Sequence, residues 1–160
     1  EVLFTENDNF LIDVQNQHEA SKAFATLVVI KHPEAGKKFG AIWTNAEGDV
    51  KHIGKDPEDK ALVPWHFIGL QFFSSEVFSF LPIGIESNIF YDVLIHLLDQ
   101  EKIQIFSIEA DWYETGNLKD YAEAKHEIQH KLKTDKKYQR HFNQLEPLKK
   151  LFTEQISDLA

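Results

Sequence analysis

Apolar positions along the chain follow two rhythms. The runs "EVLF" at residues 1–4, "ATLVVIK" at 25–31, "WHFIGLQFF" at 65–73 and "IQIFSI" at 103–108 are dense in β-branched and aromatic residues, which predicts strands. "ATLVVIK" has no polar alternation, the pattern of a strand covered on both faces, and is expected at the centre of a sheet. From Ser87 to Gln100 the rhythm changes: Ile89, Phe90, Val93, Leu94, Leu97 and Leu98 recur at three- and four-residue steps, an amphipathic helix with a broad core face. A polar helix is expected over 13–22 with Asp13 as its cap, a short serine-capped one in "SSEVFSFLP" ending before Pro82, and another beginning near Leu118.

"FGAIWTNAEGDVKHIG" reads as a hairpin, because Asn45, Gly48 and Asp49 supply turn chemistry between two short apolar runs. "KDPEDKALVP" follows as a charged loop. Strands separated by helices indicate an α/β sheet with helices packed on it. Past Lys133 the chain becomes charged, with Tyr138, Phe142, Leu145, Leu148, Leu151, Phe152 and Ile156 at roughly helical steps and Pro147 placed to open a second helix. The expected organisation is an α/β domain over 1–133 and a helical tail over 134–160. The tail packs on the sheet domain or, alternatively, makes a homo-oligomer contact.

Composition narrows the partners. The chain has 160 residues, 42% of them apolar, which suits one domain with a sizeable core. Its net charge of -9, with no dense run of lysine or arginine, argues against nucleic acid. No apolar stretch is long enough to cross a bilayer, so no membrane partner is expected. Cysteine is absent, which excludes disulfides and thiolate metal sites and fits a reducing, cytoplasmic setting. Methionine is absent too, so the chain reads either as part of a longer molecule or as a sequence whose modified methionines were left out.

Two stretches suggest chemistry. In "ADWYETGNLKDYAEA", residues 110–124, Trp112, Glu114 and Gly116 are spaced by two, so in a strand all three project to one side. The glycine then leaves open the space above the acid. "HEIQH", His126 to His130, matches a zinc-protease pattern. On a helical wheel, however, Tyr121, Ala124, Ile128 and Leu132 share one face, and the two histidines lie about 160° from Ile128, toward solvent. Flanking Lys125 and Lys131 also disfavour zinc. The histidines at 18, 32, 52, 66, 96 and 141 show no ligand spacing; His18 and His96 are expected on helix surfaces or edges, and His66 receives no role.

The order of "VLFTENDNFLID", "ATLVVIKHPEAGKKFGAIWTNAEGDVKHIGKDPE", "WHFIGLQFFSSEVFSFLP" and "ADWYETGNLKDYAEA" resembles the second half of a sugar-1-phosphate nucleotidyltransferase, over residues 2 to about 130. The resemblance implies a three-layer α/β/α sandwich of the nucleotide-diphospho-sugar transferase type, Rossmann-like, with the helical tail appended. It also implies transfer of a nucleotidyl group from a nucleoside triphosphate to a sugar 1-phosphate, with release of pyrophosphate and dependence on magnesium. By family match Asp8 and Glu114 stand where two carboxylates bind the metal. Lys55 stands where a lysine approaches the sugar phosphate as a point charge, and Gly69 where the backbone comes close to the sugar.

The chain departs from the family pattern at several positions. Asn7 replaces the glycine before the first aspartate, Glu114 the second aspartate, Asn117 a threonine, and Gly54 the glutamate before the lysine. The glycine-rich loop that holds the triphosphate has no counterpart in this sequence. That gap is consistent with part of a longer enzyme, and the alternative is a non-catalytic sugar- or nucleotide-binding module.

Overall fold

A computed structural model describes residues 1–55 and 57–145. The protein is mixed α/β, with strands β1 (Val2–Thr5), β2 (Ala25–Ile30), β3 (Ala41–Thr44), β4 (Val50–Gly54), β5 (Val63–Phe73), β6 (Ile103–Ser107) and β7 (Ala110–Tyr113). Helix α1 spans Phe10–Ser21, α2 is a short turn over Ile95–Leu97, and α3 spans Leu118–Thr134. Residues 136–145 are also helical, so a C-terminal helical part is present. The expectations for Pro147, Leu148, Leu151, Phe152 and Ile156 lie outside the described residues. The chain divides into two compact units, one comprising Glu1–Glu6 with Ala110–Ala160 and the other Asn7–Glu109.

The Asn7–Glu109 unit is built on a five-stranded sheet of order β4-β3-β5-β2-β6. Every residue of β2 is buried, as its unbroken apolar run predicts, and the strand is flanked on both sides. Only β2 and β6 run parallel; β2–β5, β5–β3 and β3–β4 are antiparallel. The predicted hairpin forms: Asn45 Oδ1 accepts from the Asp49 amide at 2.8 Å, and Gly48 takes a φ of +90° that favours glycine. Phe24, Leu27, Val29, Ile42, Val93, Leu94 and Leu97 form its core.

Three helical segments differ from expectation. α1 begins at Phe10, earlier than predicted, and Asp13 is not its cap. Asn7 Oδ1 accepts from the Asn9 amide at 2.9 Å and its Nδ2 donates to Asp13 Oδ2 at 2.8 Å, which organises the entry turn and leaves Asp13 inside the first helical turn. The amphipathic segment from Ser87 is helical but opens with a π-turn over Ile89–Leu94. The Asn88 side chain accepts from the Phe90 amide at 3.0 Å, while the Asn88 amide donates to Asp92 Oδ2 at 2.6 Å. This reciprocal cap spans one residue more than the usual capping box, as the wider π-turn requires. "SSEVFSFLP" is likewise a 3-10 turn over Ser75–Ser79.

The second unit contains the antiparallel ribbon β1–β7, in register Val2↔Tyr113 to Thr5↔Ala110. Its small core joins Phe4, Tyr113, Ala124 and Tyr138, with Ile128 and Leu132 packed against them. Ala124, Ile128 and Leu132 therefore face inward on α3 as the wheel predicts, whereas Tyr121 is 53% exposed. A polar network completes this core. The fully buried Tyr138 hydroxyl donates to Asp111 Oδ2 at 2.7 Å and lies 2.6 Å from the Tyr113 hydroxyl; Lys137 reaches Asp111 Oδ2 at 2.8 Å.

Candidate active site

In the Asn7–Glu109 unit the pairings Gly54↔Ala41, Ile42↔Trp65 and Ile30↔His66 step through neighbouring positions across the sheet, from the end of β4 to the end of β2. Lys55, exposed, directly follows Gly54. Its backbone is fixed from both sides: Trp43 Nε1 donates to the Gly54 carbonyl at 2.9 Å, and His52 Nε2 lies 3.3 Å from the Lys55 carbonyl. Gly54 sits at φ +130°, where a side chain is strained.

Gly69 lies three residues along β5 from His66. The pairing of β2 with β5 slips between Leu27 and Val29, and Gly69 falls in this bulge with a φ of +81°. Gly69 lies in β5 and Lys55 directly follows β4, two strands of one sheet separated by β3. Asp8, exposed, stands two residues before α1 in the same unit.

At the same sheet end three rings meet, an arrangement not expected from the spacing of the histidines. His32 lies 5.4 Å from His66 and 5.6 Å from Phe39, with Phe39 and His66 5.1 Å apart, centroid to centroid. His66 is buried. Burial pushes the His32 pKa down, with Lys38 adding to the shift and Glu34 opposing it. The visible signal was His32 at the end of a fully apolar strand; the facing position of His66 depends on strand register, which sequence periodicity does not give.

Glu114 belongs to the other unit. β7 ends at Tyr113, so the strand's alternation stops before the acid. Instead Glu114 Oε1 accepts from the amides of Thr115 at 2.8 Å and Gly116 at 2.7 Å. A Cβ at residue 116 would stand 3.0 Å from that oxygen, so Gly116 does leave the acid its space, through a turn rather than along a strand. Asn117 then caps α3, its Oδ1 accepting from the Asp120 amide at 2.9 Å, a task that threonine also performs. Within the ribbon, antiparallel pairing puts the end of β1 beside the start of β7, so the two strands end in opposite directions.

The nucleotidyl transferase family model matches residues 5–131, from the end of β1 through most of α3. The chain belongs to the nucleotidyl transferase family. No curated protein matches it. The family match covers all four positions carried over from the resemblance: Asp8, Lys55, Gly69 and Glu114.

For this nucleotidyl transferase the "HEIQH" stretch supplies no protease centre. His126 and His130 are exposed, and Glu127, the would-be base, is held by Lys131 at 2.9 Å and by the Tyr113 hydroxyl at 3.0 Å. Among the described residues no group of three or more His, Cys, Asp or Glu is arranged to hold a metal ion. No helix among them is long and apolar enough to cross a membrane.

Proposed function

We propose that this nucleotidyl transferase joins a nucleoside triphosphate to a sugar 1-phosphate. A phosphate oxygen of the sugar 1-phosphate forms a bond to the α-phosphorus as the bond to the pyrophosphate oxygen breaks. Nucleophile and leaving group are both anionic, so fixed positive charge and alignment contribute more than covalent catalysis. The observation that carries the reading is the family match, which includes every position of the proposed machinery.

Lys55 is the proposed contact to the sugar phosphate: an exposed ammonium on a backbone anchored by Trp43 and His52. Gly69, with its positive φ in the bulge, is the proposed point of backbone approach to the sugar. Asp8 and Glu114 offer hard carboxylate oxygens of the kind magnesium prefers, and the space over Gly116 accommodates the longer glutamate side chain. Bound magnesium supplies charge that offsets the triphosphate. Absence of cysteine suits a reducing, cytoplasmic setting.

The test is pyrophosphate release from a small panel of nucleoside triphosphate and sugar 1-phosphate pairs with magnesium present. Release from a matched pair, falling roughly 100-fold in Lys55→Ala, is the expected result. A flat response across the panel from folded protein contradicts it and favours the non-catalytic sugar- or nucleotide-binding module.

A further inference from the structure

Glutamate at position 114 raises a physical problem for a metal site, because its extra methylene adds a rotatable bond and moves the carboxylate outward. The structure offers a local solution. Both amide hydrogen bonds of the turn, from Thr115 at 2.8 Å and Gly116 at 2.7 Å, go to the same oxygen, Oε1. The side chain is therefore curled back over its own backbone instead of extending. Charge-assisted hydrogen bonds of this kind are about twice as strong as neutral ones, and two on one oxygen fix the carboxylate plane. Oε2 receives neither amide bond and is the oxygen left to meet a cation.

The curl is packed closely over residue 116. A Cβ there would approach Oε1 to 3.0 Å and the carboxyl carbon to 3.7 Å. Gly116 is not among the positive-φ glycines, so its backbone conformation is one that alanine adopts without strain. What glycine provides at this position is room for the carboxylate, not freedom for the chain.

We infer that Gly116 and the Thr115 amide are positioning groups that hold Glu114 as a one-oxygen ligand, presenting Oε2 to the magnesium ion of the proposed reaction. The inference rests on the nucleotidyl transfer reading and concerns only how this one carboxylate is oriented. A second-sphere contact of this type typically changes metal affinity by about 10- to 100-fold when lost.

Isothermal titration with magnesium ion alone, on the full chain and on Glu114→Gln and Gly116→Ala, tests it together with the amide proton shifts of Thr115 and Gly116. Both variants are expected to bind magnesium at least about tenfold more weakly. The two amide protons should lie downfield in the native protein and move upfield together in Glu114→Ala. Native affinity in Gly116→Ala beside a loss in Glu114→Gln overturns the positioning role and leaves the metal reading standing. Native affinity in Glu114→Gln overturns the metal reading itself, and the positioning role with it. Amide shifts unmoved in Glu114→Ala overturn the curl whatever the affinities.

Discussion

In the Asn7–Glu109 unit the side chains withdrawn completely from solvent are mainly aliphatic: Leu27, Val28, Val29, Val93 and Leu94. In the unit that contains the β1–β7 ribbon the largest fully buried side chain among the described residues is Tyr138, whose hydroxyl meets Asp111 and Tyr113 while its ring stacks on Phe4 at 4.0 Å. An aliphatic core gains by removing apolar surface from water, is insensitive to pH and punishes lost volume. A small core closed by two phenols, a carboxylate and two lysines gains little area; its hydrogen bonds must all be made, because an unmade one in a dry place costs more than a made one contributes. The first is broken by deleting methyl groups and the second by deleting single polar atoms.

Leu27→Ala should therefore produce the largest loss, about 2–5 kcal/mol, read as a lowered midpoint in chemical denaturation. A loss below 1 kcal/mol would mean that the sheet core collapses freely around the gap. Tyr138→Phe keeps the stacked ring and removes only the oxygen shared by Asp111 and Tyr113. About 1–3 kcal/mol is expected, and a neutral result would assign the ribbon's stability to ring packing alone.

The pH dependence sharpens the same contrast. Burial raises the Asp111 pKa, but hydrogen bonds from Lys137 and Tyr138 and the lysine charges outweigh it and hold the carboxyl below its ordinary value. Lys131 is shifted the other way: burial opposes its charge, yet hydrogen bonds to Glu127 and Tyr113 and the Asp111 charge raise its pKa. A lowered carboxyl stabilises the folded state above the unfolded pKa, about 3.9, and loses that contribution as pH falls through the folded value. A raised lysine contributes fully below about 10.4 and loses its share only as pH rises beyond that. Thermal midpoints of native protein and Asp111→Asn should thus differ near neutrality and converge toward pH 2. A constant gap would contradict the network.

The most local change restores the family residue at position 54. Gly54→Glu places a side chain at φ +130°, at a cost of roughly 1–3 kcal/mol and with no gain in pyrophosphate release. Increased activity would show that the turn before Lys55 relaxes at no cost.

Local patterns were legible in the sequence. The unbroken run of β2, the Asn45–Asp49 turn and the start of α3 after Asn117 all depend on neighbours within a few residues, and each formed where its chemistry predicted. The π-turn at Ile89–Leu94 was not legible, because the three- and four-residue spacing of Ile89, Phe90, Val93 and Leu94 fits an ordinary helix and only the Asn88–Asp92 cap marks the wider winding. Long-range pairing was also hidden: Val2 opposite Tyr113, His32 beside His66, and Tyr138 against Asp111 each join segments that carry no mutual signal in one sequence. Of the candidate site, the spacing of Glu114 and Gly116 pointed to open space at the glycine for the wrong reason: the strand ends at Tyr113, and both the space and the amide curl of Glu114 arise in the turn that follows.

Manganese substituted for magnesium gives the most direct test of the central claim, that Glu114 presents a carboxylate oxygen to the metal of a nucleotidyl transfer reaction. Its unpaired electrons broaden nearby amide resonances, so the account predicts that sub-stoichiometric manganese erases the signals of Thr115 and Gly116 in the native protein and spares them in Glu114→Gln. Sharp signals for both residues at saturating manganese would contradict it.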